Sequence, residues 1–322
     1  MSDQDLIDQA NQVTPYFKMA VHICIQSDHT YLEDQDTEKN VEAIENLVSQ
    51  ASNPHSISPA TVCVRPDEIS RVNDLAVNGA ALPPRSFNFA TVVNFPNPKS
   101  LVVDARELYQ GGLNLLEAVD EIDYVVYTDQ IIRHRGEGGC RINIGSPKAE
   151  AEMAVGAAIN NGLKVKAILR TTALRELPNF SQVIEEVALG ALQGGVDFIV
   201  TSTGFPIRDA GPVDVADLSD VPPMMRAIQR DWDARLKEDP DAKPKGIKIT
   251  GPETMEEVAP YVALISAMMD SKCTGYSGSP NFVRFGGGDL FINARTFIRE
   301  YDSEKGDFGG PAVQPNHGER GR

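Results

Sequence analysis

The chain has 322 residues, 41% of them hydrophobic and 24% charged, with 26 Gly and 21 Pro, a composition typical of a globular protein that buries one large core or two modest ones. Thirty basic against 46 acidic residues leave a formal charge of −16, so the chain as a whole repels phosphodiester backbones and anionic lipid surfaces. Nucleic acid and membrane therefore drop from the expected partners, while a local cationic pocket inside an acidic shell stays compatible with the totals.

The opening residues, MSDQDLIDQANQ, carry no basic n-region and no apolar h-region, and no apolar run reaches the roughly 18 residues that span a bilayer. Cys24, Cys63, Cys140 and Cys273 lie far apart without a CxxC pair, which argues against a zinc knuckle or a disulfide framework. A reducing cytoplasm is the simplest setting.

Taken in chain order, residues 1–17 read as an N-terminal helical extension. Short apolar runs then recur: AVHICIQS at 20–27, ATVCVRP at 60–66, FATVVNF at 89–95, EIDYVVY at 121–127, LKVKAILR at 163–170, VDFIVTS at 196–202, KGIKIT at 245–250 and NFVRFG at 281–286. Between them lie segments of helical period at 38–51, 100–118, 148–162, 181–195 and 252–269. Near-continuous apolar strands alternating with amphipathic helices indicate a parallel sheet covered by helices. Eight such units favour an α/β fold closed as a single (β/α)8 TIM barrel over residues 18–300, and no GxGxxG follows the first run to support an open doubly wound sheet. The stretch from Pro206 to Pro244 is longer and more polar than the other connections, and DWDARLKEDPDAKPK at 231–245 reads as a surface helix plus a solvated turn, with Trp232 as surface packing and Met224–Met225 as core. Residues 301–322 have little to bury and read as a disordered tail.

In such a barrel the site lies at the C-terminal ends of the strands, so polar residues that interrupt apolar strands are the informative ones. They are Asp28 and Thr30, Cys63, Asn94, Asp123, Lys166 and Arg170, Thr201 to Gly204, Lys248 and Arg284.

The pieces SDHTYL, ATVCVRP, ATVVNFP, VDEIDYVV, LKVKAIL, GVDFIVTSTGF, GIK and RFGG, in that order over residues 18 to 295, resemble deoxyribose-phosphate aldolase. That family of class I aldolases joins acetaldehyde to glyceraldehyde 3-phosphate through a lysine Schiff base, and the resemblance implies the TIM barrel that the periodicity suggests on its own. An amine nucleophile must be neutral near pH 7, whereas an ordinary lysine titrates about three units higher. The family lowers that pKa with a second lysine and moves protons with an aspartate. By resemblance Asp123 is that aspartate and Lys248 the second lysine. The Schiff-base lysine, which directly precedes TSTG in the family, is replaced by Val200.

Further departures surround the same pocket. Arg170 stands for a strand-5 glutamate, Ile249, Thr250, Gly251 and Pro252 follow Lys248 in place of a glycine-rich turn, and Gly288 and Asp289 replace the serine pair that holds phosphate. Gly204 and the Gly286–Gly288 run survive and would let backbone N–H groups approach an anion.

Strand parity places Lys166, Ile168 and Arg170 on one face of their strand, as it does Phe198, Val200 and Ser202 on theirs and Lys248 with Thr250, so an interior of three cations and one anion is expected with Asp123. Catalysis is expected from Asp123, Lys248 and Lys166. Substrate binding is expected from Asp28, Thr30, Cys63, Arg170, Thr201, Thr203, Gly204, Arg284, Gly286, Gly287 and Asp289. His22, Cys24, Asp28 and His29 fall short of a metal cluster, and neither metal nor cofactor is expected. Three readings follow: an aldol or retro-aldol lyase on a small carbonyl compound, with Lys248 or Lys166 as the amine and Arg170 lowering its pKa; a catalytically inactive barrel binding a small organic anion; and a lyase or isomerase without a covalent intermediate. The expected partner is a small carbonyl or sugar-phosphate-like metabolite, in carbohydrate or deoxynucleotide catabolism. Barrels of the family commonly pair, so a homo-oligomer is allowed.

Overall fold

In a parallel sheet covered on both faces every strand residue must be accommodated either by helices or by the barrel interior. The structure, a computed structural model, describes residues 4–5, 17–32, 46, 59–71, 74, 87–96, 118–128, 145–159, 162–207, 212–269 and 279–305. Eight parallel strands close in sequence order: β1 (Ser27–Tyr31), β2 (Thr61–Val64), β3 (Asn88–Val93), β4 (Glu121–Val125), β5 (Lys164–Ile168), β6 (Phe198–Val200), β7 (Gly246–Thr250) and β8 (Val283–Gly287), which pairs back onto β1. This is the expected (β/α)8 barrel. The described helices are α1 (Phe17–Gln26), α2 (Gly145–Ile159), α3 (Thr171–Arg175), α4 (Phe180–Gln193), α5 (Val221–Arg235), α6 (Met255–Met269) and α7 (Leu290–Lys305). None of them is long and apolar enough to cross a membrane.

Alternation sorts the strand side chains cleanly. Ile122 and Tyr124, Val165 and Ala167, Ile199, Ile247 and Ile249, and Val283 and Phe285 join the apolar core shared with the helices. Their alternates, including Asp123, Lys166, Val200, Lys248 and Arg284, are buried on the other face, inside the barrel. Glycine makes one of these layers possible. A Cβ at Gly246 would lie 2.2 Å from the Phe198 ring, so the ring fills the space that β7 leaves empty. Gly246→Ala is expected to destabilise the fold by about 1–3 kcal/mol, through a forced shift of Phe198, measurable by chemical denaturation.

Three expectations change. The run AVHICIQS is the end of α1, not the first strand: Ala20, Ile23 and Cys24 are buried while His22 is exposed, an i, i+3, i+4 pattern, and the strand is the polar SDHTY that follows. A short apolar run does not separate strand from buried helix by period alone. Of the surface helix and solvated turn expected over 231–245, the turn is exposed over 237–241, but Trp232 is buried where α5 packs on α4, its indole donating to the Ala242 carbonyl at 2.6 Å, while Met224 and Met225 lie in the core as expected. Helix α7 continues to Lys305, past the expected start of the tail at 301. The helical segments at 38–51 and 100–118 fall almost wholly outside the described residues, as do Cys140, Cys273 and residues 306–322.

Candidate functional site

Five of the expected residues meet inside the barrel, together with one the sequence reading passed over. The Lys166 ammonium lies 2.8 Å from Asp28 Oδ2, 2.8 Å from Glu121 Oε2 and 2.9 Å from Asp123 Oδ1, the last an ion pair without hydrogen-bond geometry. Lys248 Nζ lies 2.9 Å from Asp28 Oδ2 and donates to Asp123 Oδ2 at 2.8 Å. Arg284 donates to both Glu121 oxygens, at 2.6 and 2.9 Å, to Thr61 Oγ1 at 2.7 Å and to Asp28 Oδ1 at 3.2 Å, and its guanidinium sits 4.8 Å from the Phe198 ring centre. Asn88 and Thr61 donate further bonds to Glu121.

The cluster therefore holds Lys166, Lys248 and Arg284 against Asp28, Glu121 and Asp123, a balance of charge where an excess of cations was expected. The placements of Asp28, Glu121, Arg170 and Arg284 account for the difference. Asp28 lies within β1 rather than beyond it, and Arg170 leaves the β5 line in a left-handed conformation (φ 55°) at the start of α3, where its guanidinium donates to the Ile207 carbonyl at 3.2 Å. Glu121, two residues before Asp123 on β4, supplies the third carboxylate. That i, i+2 spacing was a legible signal.

Burial opposes ionisation throughout the cluster, and charge partners overcome it. Asp28 is held well below the usual carboxylate range by Lys166, Lys248 and Arg284, and Glu121 by Lys166 and Arg284. Conversely, burial lowers Lys166 and Lys248, but Asp123 and Asp28 outweigh it at both, with Glu121 adding at Lys166, so both ammonium groups are raised above their ordinary pKa. Burial pushes the Cys63 thiol up to about 12, and Cys63 packs with Leu32, Ala90 and Val92.

Val200, opposite Lys248 in the β6–β7 register, forms an apolar patch with Val125 and Ile168, against which Phe95 packs. At the C-terminal ends of β1, β6, β7 and β8 a cavity of about 600 Å³ opens, walled by Thr30, Thr203, Gly204, Gly286, Gly287 and Asp289 from the expected set, and also by His29, Phe205, Thr250 and Glu253. Lys248 reaches the edge of this wall. A Cβ at Gly286 would lie 2.7 Å from Lys248 Cε, so Gly286 is the gap through which the lysine chain passes, and that side chain keeps 5% exposure against none for Lys166.

Other expected residues brace the site. Thr201 Oγ1 accepts from the Thr250 N–H at 3.0 Å and contacts Ser202 Oγ at 2.9 Å. Arg284 is fully enclosed in the ion cluster, away from the cavity wall. Two buried carboxylates in the long polar connection after β6 hold the mouth: Asp214 accepts from the Thr203 N–H and hydroxyl at 2.8 and 3.1 Å, and Asp220 from the Thr171 hydroxyl and Arg175 at 2.8 and 2.5 Å. Polar composition alone gave no sign that these aspartates are buried. Among the described residues no group of three or more His, Cys, Asp or Glu is arranged to hold a metal ion.

No protein-family model matches the chain. It is 28% identical over 194 residues to the deoxyribose-phosphate aldolase of Mycoplasmoides pirum, covering 60% of this chain and 74% of that protein. Against the deoxyribose-phosphate aldolase of Clostridium botulinum (strain ATCC 19397 / Type A) identity is 29% over 188 residues, 58% of this chain and 75% of the other. The crystal structure of a proposed deoxyribose-phosphate aldolase from Toxoplasma gondii ME49 superposes with a TM-score of 0.66 at 19% identity, over 90% of this chain and 97% of that one.

Proposed function

We propose, for a chain that is a divergent relative of the deoxyribose-phosphate aldolases, that its barrel mouth binds a small hydroxy-carbonyl metabolite without forming a Schiff base. One observation carries this reading: both lysines of the barrel interior, Lys166 and Lys248, are paired with carboxylates, and the residue before TSTG is an apolar Val200. With both ammonium groups raised above the ordinary lysine value of 10.5, the neutral amine at pH 7 is below about one part in a thousand. Stripping either proton would also leave buried carboxylates short of a partner.

Borohydride reduction in the presence of an aldehyde and ketoacid panel, followed by peptide mass mapping, is expected to give no lysine adduct. Thermal shift with the same compounds is expected to show stabilisation. An adduct on Lys248 or Lys166 overturns the reading.

A second reading is favoured by the partial exposure of Lys248 beside the cavity wall. In it the protein is an aldol or retro-aldol lyase, with Lys248 as the amine and Asp123 moving protons for carbinolamine formation and enamine protonation. An adduct mapped to Lys248, with turnover, would establish it. Either role suits a cytoplasmic protein of carbohydrate or deoxynucleotide catabolism, acting alone or as a homo-oligomer.

A further inference from the structure

A phosphate group is held at a barrel mouth by free backbone N–H groups and by cations. At this mouth several N–H groups of the β6, β7 and α6 side are already used. The Thr203 N–H donates to Asp214 Oδ2 at 2.8 Å, the Gly204 N–H to the Asp214 carbonyl at 2.8 Å, and the Gly251 N–H to the Gly286 carbonyl at 3.1 Å. At the start of α6, Glu257 Oε2 accepts from both the Glu253 and Thr254 N–H groups, at 2.8 and 3.1 Å, and the Glu257 N–H donates to Thr254 Oγ1 at 3.3 Å. This is a capping box, and it places the chain's own carboxylate where an anion would otherwise sit.

The charge on the wall points the same way. Glu253 and Asp289 line the cavity, and no lysine or arginine does so among the described residues. Two wall residues instead offer unused neutral groups: His29, 4% exposed, has no partner at Nδ1, and Thr250 has none at Oγ1. Burial pushes the His29 imidazole down to about 4, so it is neutral at pH 7; with its N–H turned to the Gly287 and Gly288 carbonyls, Nδ1 is left to accept from a ligand hydroxyl.

We propose that the mouth cavity takes an unphosphorylated hydroxy-carbonyl compound, with Glu257, Glu253 and Asp289 excluding a phosphate and His29 and Thr250 hydrogen-bonding the ligand. This rests on the mouth being a metabolite site, and it names the class of metabolite.

The test compares 2-deoxyribose with 2-deoxyribose 5-phosphate and inorganic phosphate by ligand-observed NMR titration on the full chain. The wild-type protein is expected to bind the unphosphorylated sugar at least about tenfold more tightly than the phosphorylated one, and inorganic phosphate least. Glu257→Ala combined with Asp289→Asn is expected to shift the ratio about tenfold towards the phosphorylated sugar. Glu257→Gln keeps an acceptor for the cap and so serves should the alanine variant fail to fold; it is expected to shift the ratio in the same direction by a smaller factor. Equal or tighter binding of the phosphorylated sugar by the wild type, or binding of neither sugar, overturns the proposal. A borohydride adduct formed with either sugar would overturn the non-covalent reading alone and leave the affinity ratio to decide this one.

Discussion

Val200→Lys is expected to turn a chain that borohydride does not trap into one that is labelled at position 200. The Val200 side chain is buried inside the barrel, opposite Ile168 on β5 and Lys248 on β7, in an apolar patch with Val125. An amine introduced there meets no spare carboxylate, because Asp28, Glu121 and Asp123 are already matched by Lys166, Lys248 and Arg284. It meets desolvation and the positive charge of Lys248, and both lower an amine's pKa. A depression of about two to three units raises the neutral fraction at pH 7 roughly 100- to 1,000-fold over an ordinary lysine. Asp123, bonded to Lys248 at 2.8 Å, is placed to move protons once an imine forms. The longer side chain crowds the patch at a cost of about 1–3 kcal/mol. Val200→Met imposes the same crowding without an amine and serves as the control. Mass mapping after reduction with a small aldehyde should place the adduct at residue 200 in the lysine variant only, with retro-aldol turnover above the wild-type level. A folded lysine variant that forms no adduct would show that more than the nucleophile has been lost.

The barrel was legible because seven of its strands are short, apolar and bounded by helical segments, and a parallel sheet buried on both faces demands such runs. Its first strand was not, since SDHTY is polar: Asp28 is stabilised there by Lys166, Lys248 and Arg284 from strands far away in sequence. The same misplacement hid the charge balance. Parity counting identified Lys166 and Lys248 correctly as interior, yet it assumed that Arg170 stayed extended, and a φ of 55° turns that residue out of the strand. Glu121 could have been found from its spacing to Asp123. The Glu257 cap could likewise have been found from the T-x-x-E pattern at 254–257. Asp214 and Asp220 could not, because their burial depends on how a long loop folds over α3.

Removing Lys166 is expected to have the largest effect on stability. Lys166→Met deletes the one cation that, among the described residues, touches all three carboxylates of the cluster, and leaves two positive charges against three negative, all buried. Removing one partner of a buried ion pair costs roughly 3–5 kcal/mol, which for a chain of this size lowers Tm by about 10 °C. Glu121→Gln added to Lys166→Met restores the charge balance, since Arg284 still pairs Asp28 and Lys248 still pairs Asp28 and Asp123. The double variant should therefore be more stable than the sum of the two single losses by about 1–3 kcal/mol. The pH dependence has a definite sign. In the wild type Asp28 and Glu121 have depressed pKa values, so the stability they contribute is complete at neutral pH and is lost as pH falls below the ordinary carboxylate range. His29, lowered from 6.5 to about 4, adds a loss in the same direction over that interval. In Lys166→Met the excess carboxylate is instead raised in the folded state and takes up a proton on mild acidification, which relieves part of the imbalance. The stability gap between wild type and Lys166→Met should accordingly narrow from pH 7 to pH 4 in urea titrations. A gap that stays constant with pH, or single losses that simply add, would mean that the six side chains do not act as one charge-balanced unit.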